Sequence, residues 1–524
     1  MASLLKLSHE LLHCIFTEID PADLAQLSAS CQTLNSYIKG NRLLHKDLYV
    51  RRYDEPNAGT ELDWEEETHN SVKLEKILES EDREVKRENL DFVSRQINSL
   101  VGTANVTPNH SLNVQLLSDY FSDTANIDTL LCSSSLFSRG GTDLQRAAST
   151  CELQQASAKL HCLYGRPVDP VPSQRCSQHF AVTPFFTLRH VDLTTSPSSN
   201  TRKQTRGIPA HTVARSKVYD LRQYTDATLW GPFKDDGSQE VDWEKVEAIM
   251  LVLGFSLNKF TERSGGRFEQ VWDTPFVGAT PKSFISPAPP PGPTKELDEE
   301  ISVIRELSPS IDSLDPYGVT GTWMRVVCFL DYNDLYAFNF SSRIPDEELR
   351  EPIDTEEAIR LIRIKLQVTR IEPPGSIDED DDEEGDVMDW SNFEGERLPV
   401  VHFRGSSRSL HASWDPNANS RIRGTVRQTP EGEIRWTTFS IFHGEERWRS
   451  EGIQVGGLRA ARGVLGNWFD KRVHLFDALN MYSDVANAIQ RDYDMHGPAG
   501  PTAFWKETDE LADEKTSSMR LAYF

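Results

Sequence analysis

Leu7-Ser-His-Glu-Leu-Leu-His-Cys-Ile-Phe-Thr-Glu-Ile-Asp-Pro-Ala-Asp-Leu24 holds two helix signatures joined by a sharp break. Its apolar residues Leu11, Leu12, Ile15, Phe16 and Ile19 fall at helical spacing and share one broad face. Asp20 then offers an N-cap carboxylate, and Pro21 sits where a helix tolerates a missing N–H, so a second helix is predicted from there. Leu24, Leu27, Cys31 and Leu34 continue its buried stripe, and Tyr37-Ile38, Leu43-Leu44 and Leu48-Tyr49 suggest two further short helices. A module this small encloses little volume, so its surplus apolar surface calls for a partner.

The whole chain of 524 residues is too long for one ordinary core and predicts several domains. Residues 54–170 keep a helical rhythm. Between Leu62 and Val101 the residues Val72, Ile77, Leu78, Val85, Leu90, Val93, Ile97 and Leu100 recur every three to four positions among charges, and Leu112–Leu163 continues the pattern until Gly165, Pro167, Pro170 and Pro172 end it. Residues 171–215, rich in Ser, Thr, Pro and Arg, read as a low-complexity linker, with Arg202, Lys203, Arg206, Arg215 and Lys217 as solvated charges. From 216 to 506 the texture turns β-branched and aromatic. Strands are predicted at Gly321–Leu330, Leu335–Phe340, Ile362–Ile371, Leu398–Phe403, Ser409–Trp414, Ile422–Gln428, Ile434–Phe442 and Glu446–Gln454. Many short strands with regular turns imply an antiparallel barrel or sandwich. The fold class is therefore α+β and multidomain: an N-terminal all-α module, a helical region and a C-terminal antiparallel β-barrel-like domain. Disordered insertions are expected near 281–296, which includes the Pro-rich Pro287–Pro293, and near 374–392, which includes the acidic Asp378–Asp389, with 507–524 as a tail.

A net charge of −25, from 56 Lys plus Arg against 81 Asp plus Glu, disfavours nucleic acid and anionic membrane surfaces as partners. Seven cysteines without a CxxC pair point to a reducing compartment, cytoplasmic or nuclear, and argue against a RING-type zinc module. Lys6, His9, Glu10 and His13 interrupt any secretory apolar core, and the longest apolar stretch, Ile249–Leu257, falls short of the roughly twenty residues a membrane helix needs. No nucleophile with its base, metal shell or phosphate cradle stands out, so a non-catalytic chain without a cofactor is expected. Gly456-Gly457 and Gly463–Gly466 read as strand-end turns, and His402 and His411 as structural histidines. Trp323, Arg325, Arg404, Trp414, Arg447 and Trp448 are of the residue types that dominate recognition surfaces. Packing accounts for tryptophans of this kind, whereas Arg325, Arg404 and Arg447 suit an anion or a substrate carboxylate; with Trp414 and Trp448 they are the candidate substrate-binding residues.

Leu7–Phe16 and the following Asp23-Leu24 resemble the F-box, whose opening Leu-Pro-x-Glu-Leu-Leu-x-x-Ile-Phe they match except at Ser8. Ser8 replaces the usual proline but keeps the ability to cap a helix, and Leu34 stands where many F-boxes have tryptophan. The resemblance makes residues 1–53 an F-box docked on a Skp-type adaptor, with Leu7, Ser8, Leu11, Leu12, Ile15, Phe16, Ile19, Leu24 and Leu27 packed on or supporting that contact. It implies a substrate-recognition subunit of an SCF-type (Skp-cullin-F-box) ubiquitin ligase, joined to the cullin scaffold indirectly and holding a protein substrate through the β-rich domain for degradation. Residues 210–506 are similar, with gaps, to the non-F-box region of a fungal F-box protein family. That likeness rests on Val218–Arg222, Leu229–Phe233, Val241–Met250, Gly321–Trp323, Ser409–Pro416 and Phe442–Trp448. The family pattern would run from Gly466–Lys471 almost directly into Asp492–Pro498, so Arg472–Arg491 reads as a retained intron or lineage-specific insertion, or as a genuine helix. Two other roles stay open: a non-ligase F-box scaffold, and a small-ligand sensor or enzyme in the barrel.

Overall fold

Asp20 accepts a hydrogen bond from the Ala22 amide and Pro21 opens a 3-10 turn, so the chain reverses between α1 (His9–Phe16) and α2 (Leu24–Ser30). The computed structural model describes residues 7–511 apart from 57–61, 106–110, 141–147, 149, 169–207, 264–271, 273, 286–310, 342–343, 346–347, 375–397, 411–418 and 471–496. Two more short helices, α3 (Gln32–Ile38) and α4 (Arg42–Val50), complete the N-terminal module around Phe16, Leu24, Leu34, Ile38, Leu44 and Leu48. Ser8 occupies the N-cap position of α1 with extended backbone, yet its hydroxyl makes no capping hydrogen bond.

Tyr49 and Tyr53, at the end of α4 and just beyond it, already belong to the core of the next region. The Tyr53 hydroxyl donates to Glu75 at 2.7 Å, and Asp54 accepts from the amides of Asn105 and Leu112 at 2.9 Å and from the Ser111 hydroxyl at 2.5 Å. These bonds bind the first module to α5 (Trp64–Glu79), α6 (Arg83–Glu88), α7 (Leu90–Gly102) and α8 (Leu112–Tyr120). The short α9 (Thr124–Asn126) runs into a π-helical turn, Ile127–Leu131, and is followed by α10 (Ser135–Gly140) and α11 (Cys151–Tyr164), which ends on Gly165 in the left-handed region.

The end of the span read as linker is not solvated. Ala210–Val218 forms α12, whose His211 ring stacks on Phe255 at 3.8 Å and whose Arg215 is buried against Glu357 at 3.1 Å. Lys217 likewise sits 3.4 Å from Glu244. Composition suggested solvation, but carboxylates from distant segments give these cations buried partners; Arg202, Lys203 and Arg206 lie outside the described residues. The apolar run Ile249–Leu257 is the middle of α13 (Trp243–Arg263), hydrophobic all round because it is enclosed between α11, α12 and the outer wall of the barrel. No described helix is long and apolar enough to cross a membrane.

Eight antiparallel strands close a barrel in sequence order: β1 (Gly321–Phe329), β2 (Ala358–Glu372), β3 (Val400–Ser409), β4 (Asn419–Gln428), β5 (Ile434–Phe442), β6 (Glu445–Gln454), β7 (Val464–Asp470) and β8 (Ala499–Thr508), with β8 paired to β1. Leu335–Phe340 is a helix, not a strand: Asp331 caps α14 (Tyr332–Phe340) by accepting from the Asn333 amide, and Leu335 and Asn339, one turn apart, are buried. Alternating aromatics mimicked a strand there. Val400–Phe403 of the predicted Leu398–Phe403 and the first residue of Ser409–Trp414 belong to one strand, β3, and residues 411–414 lie outside the described set. Gly456, Gly457 and Gly463 do turn with positive φ, but Gly466 lies inside β7, where a Cβ would come within 2.0 Å of the Glu451 carbonyl oxygen. β8 carries the barrel through residues 507 and 508, placed in the tail by composition. The Pro-rich stretch, the acidic run and Arg472–Arg491 lie outside the described residues.

Candidate functional site

On α1 the predicted apolar face splits in two. Phe16, Leu12 and Leu24 are buried within the chain, whereas Leu11 is 54% exposed and Ile15 38% exposed. Ser8 is exposed, and Leu7, Ile19 and Leu27 are half-buried. Leu12 and Phe16, expected to pack on or support the adaptor contact, are buried within the chain, Phe16 in the core that α2–α4 close over α1. The ridge left open is Leu11 and Ile15, one helical turn apart. Its helix is held from α4 and the turn after it: His13 meets Asp47 at 2.7 Å, and Arg51 reaches the Thr17 carbonyl and Glu18 at 2.6 Å. Leu43 on α4 is 61% exposed and was not singled out by spacing.

Strand register sorts the second set of residues. Side chains on paired residues share a face of the sheet. Trp323 and Arg325 pair with Ile364 and Ile362, and the Arg325 side chain reaches Ser450 on β6, which does not neighbour β1; this face is therefore the barrel interior. Trp448 and Trp468 belong to the same interior face near one end, in edge-to-face contact at 5.2 Å and half-exposed. Arg404 pairs with Gln367 and Arg423 on the outer face and is exposed. Arg447 is exposed and lies 4.8 Å over the Trp448 ring. Arg325 and Trp448 thus share the interior, Arg404 does not join them, and Trp414 lies outside the described residues.

The interior has two halves. Toward the Tyr317 end, Trp323, Trp436, Phe403 and Phe504 interlock as a closed aromatic core. Toward the Trp448 end the inward positions include many hydroxyls, Ser407, Ser409, Ser420, Thr438, Ser440, Ser450 and Thr502, interspersed with Val327, Ile362 and Ile422. Arg325 lies at the boundary, donating through Nε to Thr502 and through Nη2 to Ser450, both at 3.0 Å. Burial pulls its guanidinium down to about 10. The hydroxyl lining was missed because inward parity is legible only once the strands are in register.

A second concavity, a cavity of about 730 Å³ in the helical region, is lined by charged residues including Lys217, Asp220, Arg222, Asp242, Glu244, Lys245 and Arg350. Lys245 donates to the Lys217 carbonyl at 2.7 Å and to Gln223 at 3.0 Å; burial, reinforced by the Lys217 charge, brings it down to about 7.

Among known families, the F-box domain matches residues 4–46, which places it on the helical module that carries the Leu11–Ile15 ridge. No curated protein matches the chain, and no solved structure does. The F-box domain indicates a role in adaptor binding of the SCF type.

Proposed function

We propose that this chain is the substrate-recognition subunit of an SCF-type ubiquitin ligase. The supporting observation is the ridge of Leu11 and Ile15, left open on a helix whose other side is locked by Phe16 within the F-box match. An apolar pair held in place and uncovered is suited to close against a second polypeptide. In this reading the adaptor covers the ridge and links the chain to a cullin, while the barrel holds a target whose lysines meet the charged conjugating enzyme at raised local concentration. The chain itself contributes position, not a catalytic group, and works in the cytoplasm or nucleus.

The test is capture of the tagged full chain from cells under proteasome block. The expected result is co-purification of adaptor and cullin, lost together in Leu11→Asp. Adaptor without cullin would replace this reading with that of a scaffold outside the ligase.

A further inference from the structure

Two of the four buried arginines among the described residues have a carboxylate partner. Arg215 pairs with Glu357 and Arg350 with Asp220, each at 3.1 Å. Arg462 donates to the carbonyls of Leu163 and Tyr164 at the C-terminal end of α11, where a cation answers the helix dipole. Arg325 is as deeply enclosed, yet its partners are the neutral hydroxyls of Thr502 and Ser450, and it makes no ion pair with a described carboxylate. These contacts use two of the five N–H donors of a guanidinium. A buried charge without a counter-charge is costly and is ordinarily paired.

A second observation lies on the same interior surface. Ser409 on β3 pairs with Ile362, which pairs with Arg325, so the three share one row across β1, β2 and β3. The Ser409 hydroxyl is buried and has no hydrogen-bond partner among the described residues. One layer further out, Ser440, Trp448 and Trp468 are half-exposed, so the row lies beneath a partly solvent-accessible layer.

We propose that this end of the barrel binds a carboxylate of the target protein, with Arg325 as its counter-ion, Ser409 as a further donor and Trp448 and Trp468 as the walls. Among the described residues Arg325 is the one cation in its row, with Arg360 and Asp470 on the same face nearer the rim, and a lone cation among hydroxyls matches a monoanion better than a doubly charged phosphate. The carboxylate belongs either to an Asp or Glu side chain or to a chain terminus. This inference rests on the receptor reading above and deepens it.

The test uses the full chain bound to its adaptor and three libraries of short random peptides. The first has a free terminal carboxylate and no Asp or Glu, the second is amidated and carries one acidic residue, and the third is amidated and carries phosphoserine. Retention of the first or second library is expected, identifying the source of the carboxylate. Arg325→Met should weaken that retention roughly tenfold or more, and Ser409→Ala should weaken it without lowering Tm. Removing an uncompensated charge should also raise the Tm of Arg325→Met, whereas a merely structural arginine would lower it. Preference for the phosphoserine library, retention of none, or equal retention by Arg325→Met overturns the proposal. Adaptor and cullin capture by Arg325→Met stays intact in every one of these cases if the receptor reading holds, so the two ideas fail separately.

Discussion

Replacing Leu11 and Ile15 together by alanine separates docking from folding. Each substitution removes three carbons, worth about 0.8 kcal/mol apiece when fully buried. Only the part still exposed, 54% of Leu11 and 38% of Ile15, is left for a partner to cover. The loss is then about 1.3 kcal/mol for Leu11 and about 0.9 kcal/mol for Ile15, together roughly a fortyfold weaker adaptor complex. Calorimetric titration of the purified double variant with the adaptor measures this, while the share already buried in the chain, about 1.1 and about 1.5 kcal/mol by the same rule, should appear separately as a lowered Tm. Phe16→Ala should behave oppositely: its ring is inside the module, so the main effect is a loss of about 3 to 5 kcal/mol of stability. A folded double variant that binds the adaptor within about a factor of two of the parent would refute the assignment of the ridge.

Three further outcomes follow from buried groups. Lys245, with a pKa of about 7 when folded and 10.5 as its reference, binds a proton in the unfolded but not the native state between those values, so it makes stability rise with pH across that window. Lys245→Met should therefore raise Tm over the parent near neutral pH, with the gap shrinking toward alkaline pH in parallel melts. Burial alone would push Glu451 up, but Arg435 and Arg449, at 2.9 Å and 2.6 Å, outweigh it and hold the carboxyl below its ordinary range. Glu451→Gln should cost about 3 kcal/mol in denaturant melts at neutral pH. The parent's advantage should persist above its unfolded pKa of about 4.5 and fade as pH falls through the lower folded value. Gly165→Ala should destabilise by more than about 1 kcal/mol, because the backbone is left-handed there and a Cβ would lie 1.9 Å from the Arg462 guanidinium carbon.

The local signals were legible wherever chain neighbours decide the outcome. Asp20-Pro21 sets the break after α1, and the strands at Ile362–Ile371, Ile422–Gln428 and Ile434–Phe442 show in their own alternation. What distant segments decide was not legible. Ile15 and Phe16 are adjacent and belong to the same broad apolar face, and only the arrival of α2–α4 leaves one exposed and makes the other a core residue. Arg325 and Arg404 look alike in sequence, but register turns one into the barrel and the other out of it. Arg215 was read as solvated because its partner, Glu357, stands 142 positions away.

The barrel seam has a consequence for biosynthesis. β1 leans on β8, so a nascent chain halted before Ala499 exposes two bare sheet edges, on β1 and on β7, each able to recruit strands from a neighbour. The N-terminal helices need no such wait, since their contacts are short-range and form early. Incomplete translation products would therefore retain an intact F-box module while offering sticky strands, and they would compete with finished chains for an adaptor.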